Sequence, residues 1–312
     1  LIHYITAVKE AELIILTNAT LFGDGKMERL KDLDRQKLKF QVSLDGSTPQ
    51  VNDPIRGEGT FKRITEGLKV VSDLGFETSL TAVVIGGNLQ DMPNLPRLAQ
   101  SLGARSVHLM WPHRRGRVLE TGGHDPFPSV EDLLWVAREV KHQADVHGIR
   151  FDNYESLKLR VNGRPGVKYD LGNACWDSLC LYSDGHLYPS ASFAGYPALD
   201  LGEVRARSIK DLWLESPVAK NFRGATVLNK AGLNGDAFKF LTGGGDVEHS
   251  YFHGANGEGQ RDVLGGILGQ DPYYELYVEL MKDVMHELAS KKRSAFNARS
   301  GYNPPMIYHP MG

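Results

Sequence analysis

The sequence predicts an α/β fold on a parallel sheet, and three observations carry that prediction. Strand-like and helix-like stretches alternate at regular spacing through the first 150 residues. The stretch at 39–68 compresses the pattern into one strand–loop–helix unit. In that unit the polar residues gather just after the strand, the end at which α/β sheets and barrels bind ligands.

Taken in order, residues 2–11 read as a helix that runs into a short buried strand at 12–17 (ELIILT), with Asn18, Ala19 and Thr20 at its exit. Residues 27–34 read as a short helix. In the strand at 39–44, Phe40, Val42 and Leu44 alternate and so share one buried face. Asp45-Gly46-Ser47-Thr48-Pro49 breaks it with turn chemistry. A polar loop is expected next, then a helix that Thr60 can N-cap, with Phe61, Ile64, Leu68 and Val71 on one face. A strand at 77–85 is bounded by Gly86-Gly87-Asn88, and a helix at 94–102 is ended by Gly103. The strand at 106–110 leads into WPHRRGR, and 130–146 forms an amphipathic helix with Leu133, Leu134, Val136, Ala137 and Val140 on its apolar side. Four such units are too few to close an eight-stranded barrel.

Composition narrows the functional classes. At 312 residues the chain can bury a proper core, as one large domain or two. Charged residues make up 24% and the net charge is −2, which points to neither nucleic acid nor a membrane surface. No apolar run approaches the roughly 20 residues that span a bilayer, and no secretory leader is evident. Two cysteines exclude a disulfide scaffold and fit a reducing, cytoplasmic compartment. The chain opens on Leu1 within an expected helix and closes at Met311-Gly312 without a terminal element, so it is read as a fragment.

Beyond residue 151 the character changes. Residues 179–183 and 186–190 read as strands joined by Asp184-Gly185, a strong hairpin signal. A helix starts after Ser208. Further on, Gly243-Gly244-Gly245 precedes Asp246, Glu248, His249 and His253, and a loop is expected there. Oxygen and nitrogen donors at that spacing suggest a metal, or else a cap over an active site. An amphipathic helix then covers PYYELYVELMKDVMHELA.

SLDGS at 43–47 followed by NDPIRGEGTF at 52–61 resembles the fourth strand and following loop of radical S-adenosylmethionine (SAM) enzymes, and most closely those with a SPASM domain. LTNAT at 16–20 resembles the end of that family's third strand. Cys175, Gly185 and Ser190 resemble the opening of a SPASM domain, with serine where its second cysteine would stand. The resemblance implies the last four βα units of a partial barrel at 1–150, a degenerate SPASM-like region at 151–223, and a subfamily-specific extension at 224–312. The family's C-x3-C-x2-C loop is not in this sequence.

By the same resemblance, the complete protein would cleave SAM at a [4Fe–4S] cluster whose ligands lie outside this chain. The 5′-deoxyadenosyl radical so formed would serve peptide or protein modification, with flavodoxin or ferredoxin as electron donor. Ser43 and Asp45 would face the methionyl or ribose part of SAM, with Asn18 at the same mouth. Val83 and Leu109 would give backbone and apolar contact near the adenine, and Arg56 would pair with a carboxylate. Cys175 and Cys180 are the candidate ligands of an auxiliary cluster, although two thiolates leave a four-ligand site unfilled. Two other readings stand beside this one. The chain could be a non-catalytic peptide-binding module that has lost its cluster. It could also be an ordinary α/β barrel using Asp45, His108 or His249 in acid–base chemistry. The basic run from His113 to Arg117 could receive an acidic peptide or a phosphate.

Overall fold

The structure is a computed structural model that describes residues 1–23, 31–116, 119, 126–167, 171–253 and 263–300, with side chains to 293. Its larger sheet has five parallel strands in sequential order, β1 (Leu13–Thr17), β2 (Leu38–Ser43), β3 (Glu77–Val83), β4 (Ser106–Met110) and β5 (Arg150–Phe151). The fifth strand has two residues, too few to show alternation in a sequence.

Register divides the sheet into two faces. Phe40 and Val42 of β2, Leu80 and Ala82 of β3, and Val107 and Leu109 of β4 are buried in the main core. Helices α2 (Thr60–Asp73), α3 (Leu95–Ser101) and α4 (Val130–His147) fill that core with residues such as Ile64, Leu68, Leu95, Ala99, Val136 and Val140. Ser129 caps α4 through a capping box with Asp132, and Gly148 ends it in the left-handed conformation.

Several local expectations are corrected. The strand at 12–17 is not buried: as the end of the sheet order it leaves Ile14 53% and Leu16 71% exposed. The expected polar loop after Pro49 is a helix, α1 (Pro49–Arg56), started by Pro49, whose fixed φ suits a first turn. Thr60 does not cap α2, because Gly59 holds the cap position at φ +69. The cap comes instead from Asp53 of α1, whose carboxylate accepts from Gly59 N at 2.9 Å and Phe61 N at 2.8 Å. The helix expected at 2–11 is present but shorter, with its π-helical part at Tyr4–Val8. Of the one expected at 27–34, residues 27–30 lie outside the described residues, and 31–34 form a turn and bend rather than a helix.

The second half builds a smaller antiparallel sheet from β6 (Cys180–Leu181), β7 (His186–Tyr188) and β8 (Gly202–Glu203), and its short helices include α6 (Ile209–Glu215), α7 (Pro217–Gly224), α8 (Lys239–Thr242) and α10 (Val263–Ile267). Gly185 turns the hairpin at φ +88. Tail residues complete both cores. Val247, Tyr251 and Ile267 join the second, whereas Leu276, Leu280 and Val284 of α11 (Tyr274–Ser300) join the first. The segment after the three glycines is a helix, α9 (Val247–His253), where a loop was expected. The glycines, all at positive φ, form the turn that admits the helix, and Asp246 Oδ1 accepts from Glu248 N at 2.7 Å to begin it.

Candidate functional site

The sheet's second face is polar where a packed core would be apolar. Strand alternation and register align Gln41 and Ser43 of β2 with Ser79 and Thr81 of β3, and these with Ser106 and His108 of β4. Gln41 donates to the Thr81 hydroxyl across the strands. Ser43 is half-buried on this face, and Asn18 is exposed at the neighbouring strand exit, its Oδ1 accepting from the Thr20 hydroxyl at 3.0 Å.

At the C-terminal ends of β2 and β3 the chain is braced by polar side chains. Asp45 is 5% exposed; its Oδ1 accepts from Val83 N at 2.9 Å, and its Oδ2 lies 2.7 Å from Arg56 Nε. That last contact is an ion pair whose N–H is not aligned as a hydrogen bond. Asn88, 1% exposed, donates to Asp45 O at 2.9 Å and Val83 O at 2.8 Å, and accepts from Ile85 N at 2.8 Å. Asn52, buried on α1, accepts from Asp45 N and donates to Thr60. Ser47 is held by both oxygens of Asp91.

The backbone of Val83 is therefore taken by Asp45 and Asn88, and that of Leu109 by Asn153, at 2.9 and 2.8 Å. Backbone contact with a ligand, expected of both, is already committed, which leaves their side chains: Val83 half-buried on the polar face, Leu109 buried and lining a cavity. Of the sequence-predicted residues, Asp45, Arg56 and Val83 meet directly. Asn52, Asn88 and Asn153 were not singled out in the sequence; Asn52 opens the NDPIRGEGTF run and Asn88 closes a Gly-Gly-Asn turn, but Asn153 had no signal.

Beyond β4 a cavity of about 330 Å³ lies between that strand, α5 (Asp152–Asn162), α9 and α11. His113, Glu248 and His249 stand in its wall. Burial works against charge on His249, but Asp246 and Asp271 outweigh it and raise the pKa to about 9. His113 meets the His249 ring edge-on at 4.6 Å; burial first, then the His249 and Arg115 charges, push it down to about 2. His253 falls to about 4 through burial, opposed by a bond to Pro112 O. Burial also lowers His108, against the pull of Asp152.

Cys175 is buried at φ +57, and its carbonyl accepts from Arg223. Cys180 pairs with Tyr188 in the hairpin, and burial followed by the Asp184 charge raises its thiol pKa, which disfavours a ligating thiolate. No three His, Cys, Asp or Glu side chains among the described residues are arranged to hold a metal. Both the expected cysteine pair and the Asp246–His253 group therefore lack a completed ligand set there. Ser190 donates to Glu248 of the tail. No helix among the described residues is long and apolar enough to cross a membrane.

Residues 1–99 match the model of the radical SAM superfamily. The AdoMet-dependent heme synthase of Oleidesulfovibrio alaskensis is 22% identical over 234 residues, covering 72% of this chain and 60% of its own length. The PqqA peptide cyclase of Methylobacterium nodulans is 23% identical over 220 residues, 68% of this chain and 55% of its own. The chain thus spans about 60% or less of the length of these curated relatives. The solved structure of native anSMEcpe with bound AdoMet and Kp18Cys peptide superposes with a TM-score of 0.68 at 14% identity, over 91% of this chain and 76% of that one. At that identity the likeness shows the fold alone.

Proposed function

We propose that this chain, whose residues 1–99 match the radical SAM superfamily model, forms the SAM- and substrate-facing part of a radical SAM enzyme that modifies a peptide or protein. The observation that carries the reading is the polar face running across β2, β3 and β4, on which Ser43 stands half-buried at the end of β2 beside the buried Thr81 of β3. A sheet face made only for packing would be apolar. A face of hydroxyl, amide and imidazole groups that ends at the half-buried Ser43 is suited to a polar ligand.

The residues present fit SAM. Ser43 offers a hydroxyl to the methionyl or ribose portion, and Asn18 an amide at the same mouth. Val83 gives apolar surface for the adenine, whereas Leu109, buried on the opposite face of the sheet, does not share that surface. Arg56, whose Nε lies 2.7 Å from Asp45 Oδ2, would offer its terminal nitrogens to a carboxylate. Asp45 holds the ends of β2 and β3 at one spacing, so the groups they carry are preorganised. When bound at a reduced [4Fe–4S] cluster, SAM supplies a 5′-deoxyadenosyl radical able to abstract a substrate hydrogen. The chain's two cysteines do not fit that cluster, so its three thiolates are assigned to the protein outside these residues. A flavodoxin or ferredoxin would supply the electron, and a reducing cytoplasm suits both cysteines. The PqqA peptide cyclase relative and the peptide-bound fold neighbour support a peptide substrate.

The test is turnover. The full protein, purified without oxygen, reconstituted with iron and sulfide and reduced with dithionite, should convert SAM to 5′-deoxyadenosine. It should also change the mass of a peptide encoded beside its gene. Reconstituted protein that forms no 5′-deoxyadenosine would overturn the reading.

A further inference from the structure

The cavity beyond β4 has a charge pattern that the SAM-facing residues do not use. Its wall carries Glu248, Asp246, His249 and Arg160, with Asp271 directly behind His249. Asp246 and Asp271 lie 4.0 and 3.8 Å from the His249 imidazole, and the Tyr277 hydroxyl meets the same ring. Arg160 is turned to Leu171 O and Asn173 Oδ1. Asp246 and Asp271 flank the His249 charge, whereas Glu248 stands apart from that pair in the wall. Its contacts are the Ser190 hydroxyl and, at 3.5 Å, His113 Nε2. His113 stays uncharged beside His249 and supplies no counter-charge.

Much of the remaining wall is apolar, with Met110, Trp111, Leu157 and Leu280. A carboxylate at one point of an otherwise largely apolar chamber matches a flexible alkyl stem with a cationic head. His108 and Met110, which share the polar face of β4 by register, also line the chamber, so it adjoins that face. We infer that this cavity receives the alkylammonium group of a lysine-like substrate side chain, with Glu248 as charge partner and Met110, Trp111, Leu157 and Leu280 along the stem. This rests on the peptide-substrate reading and adds the class of side chain the site selects.

Calorimetric titration of the reconstituted full protein with three probes tests it: N-acetyl-lysine methylamide, its neutral isostere N-acetyl-norleucine methylamide, and N-acetyl-glutamate methylamide. The lysine probe should bind at least about ten-fold more tightly than either other, a margin of about 1.4 kcal/mol. Glu248→Gln should abolish that preference, and Glu248→Asp should restore part of it. Equal or tighter binding of the norleucine or glutamate probe overturns the inference, as does a preference that survives in Glu248→Gln. The comparison of probes on the unaltered protein decides the matter even where a variant fails to fold. Formation of 5′-deoxyadenosine by the unaltered protein is read in parallel. If it forms without a lysine preference, only this inference falls. If it does not form, the enzymatic reading falls, and the probe preference still decides the chemistry of the cavity.

Discussion

Replacing Asn88 by alanine removes one side chain that ties three backbone groups together at the head of the site. Its amide donates to Asp45 O and Val83 O and accepts from Ile85 N, all within 2.9 Å and out of water. Each bond contributes about 1 kcal/mol net, and the stranded backbone groups raise the penalty, so the loss should be about 3 kcal/mol. With a urea slope of about 3 kcal/mol per M, the unfolding midpoint falls by about 1 M. Because Asp45 and Val83 are the groups released, the Kd for SAM should rise by about ten-fold as well, in a binding titration of folded protein. Asn88→Asp keeps the acceptor for Ile85 N but loses both donations and sets a charge beside Asp45, so it should lose at least as much. A midpoint shift worth under 1 kcal/mol, with an unchanged Kd for SAM, would refute the brace.

Other consequences follow from the same geometry. Gly67→Ala on α2 would put its Cβ 2.0 Å from Ala19 O, beneath the turn that carries Asn18. Overpacking of about 1–3 kcal/mol should exceed the roughly 1 kcal/mol gained in helix propensity, read as a lower melting temperature with weaker SAM binding. His249, raised to about 9 when folded, contributes stability that is whole below pH 6.5 and lost as pH climbs through 9, about 3 kcal/mol in all. His113, depressed to about 2, acts in the other direction and costs stability as pH falls below 6.5. Urea midpoints should therefore peak near pH 6.5, and His249→Gln should flatten the alkaline limb. Cys180→Ala should leave the iron content of the reconstituted protein unchanged; loss of a cluster's worth of iron would show that the hairpin holds one.

The parts of the fold legible in the sequence are those specified by local pattern. Alternation at Phe40, Val42 and Leu44 located β2, the 3.6-residue spacing from Ile64 to Val71 located α2, and Asp184-Gly185 located the hairpin. Elements set by distant partners were hidden. Helix α1 reads as a loop because Pro54 and its polar residues are poor helix formers alone, and its Asn52 and Asp53 find partners in the turn before it and the helix after it. Helix α9 follows three glycines that seemed to forbid it, yet Gly245 is needed there: a Cβ would lie 2.4 Å from Asp271 Oδ2. Asp45 could be picked out from SLDGS, but its partners Val83 and Asn88 lie some 40 residues away. The cavity is less legible still. Its wall joins β4 to tail residues more than 130 positions later, and no motif announces that pairing.

The central claim is that SAM lies across the C-terminal ends of β2, β3 and β4. Hydrogen–deuterium exchange on the full protein, with and without SAM, tests it most directly. The account predicts slowed exchange at residues 43–47, 83–88 and 109–112, reduced in Ser43→Ala. Unchanged exchange at all three strand ends under saturating SAM, or protection confined to the hairpin at 179–190, would contradict it.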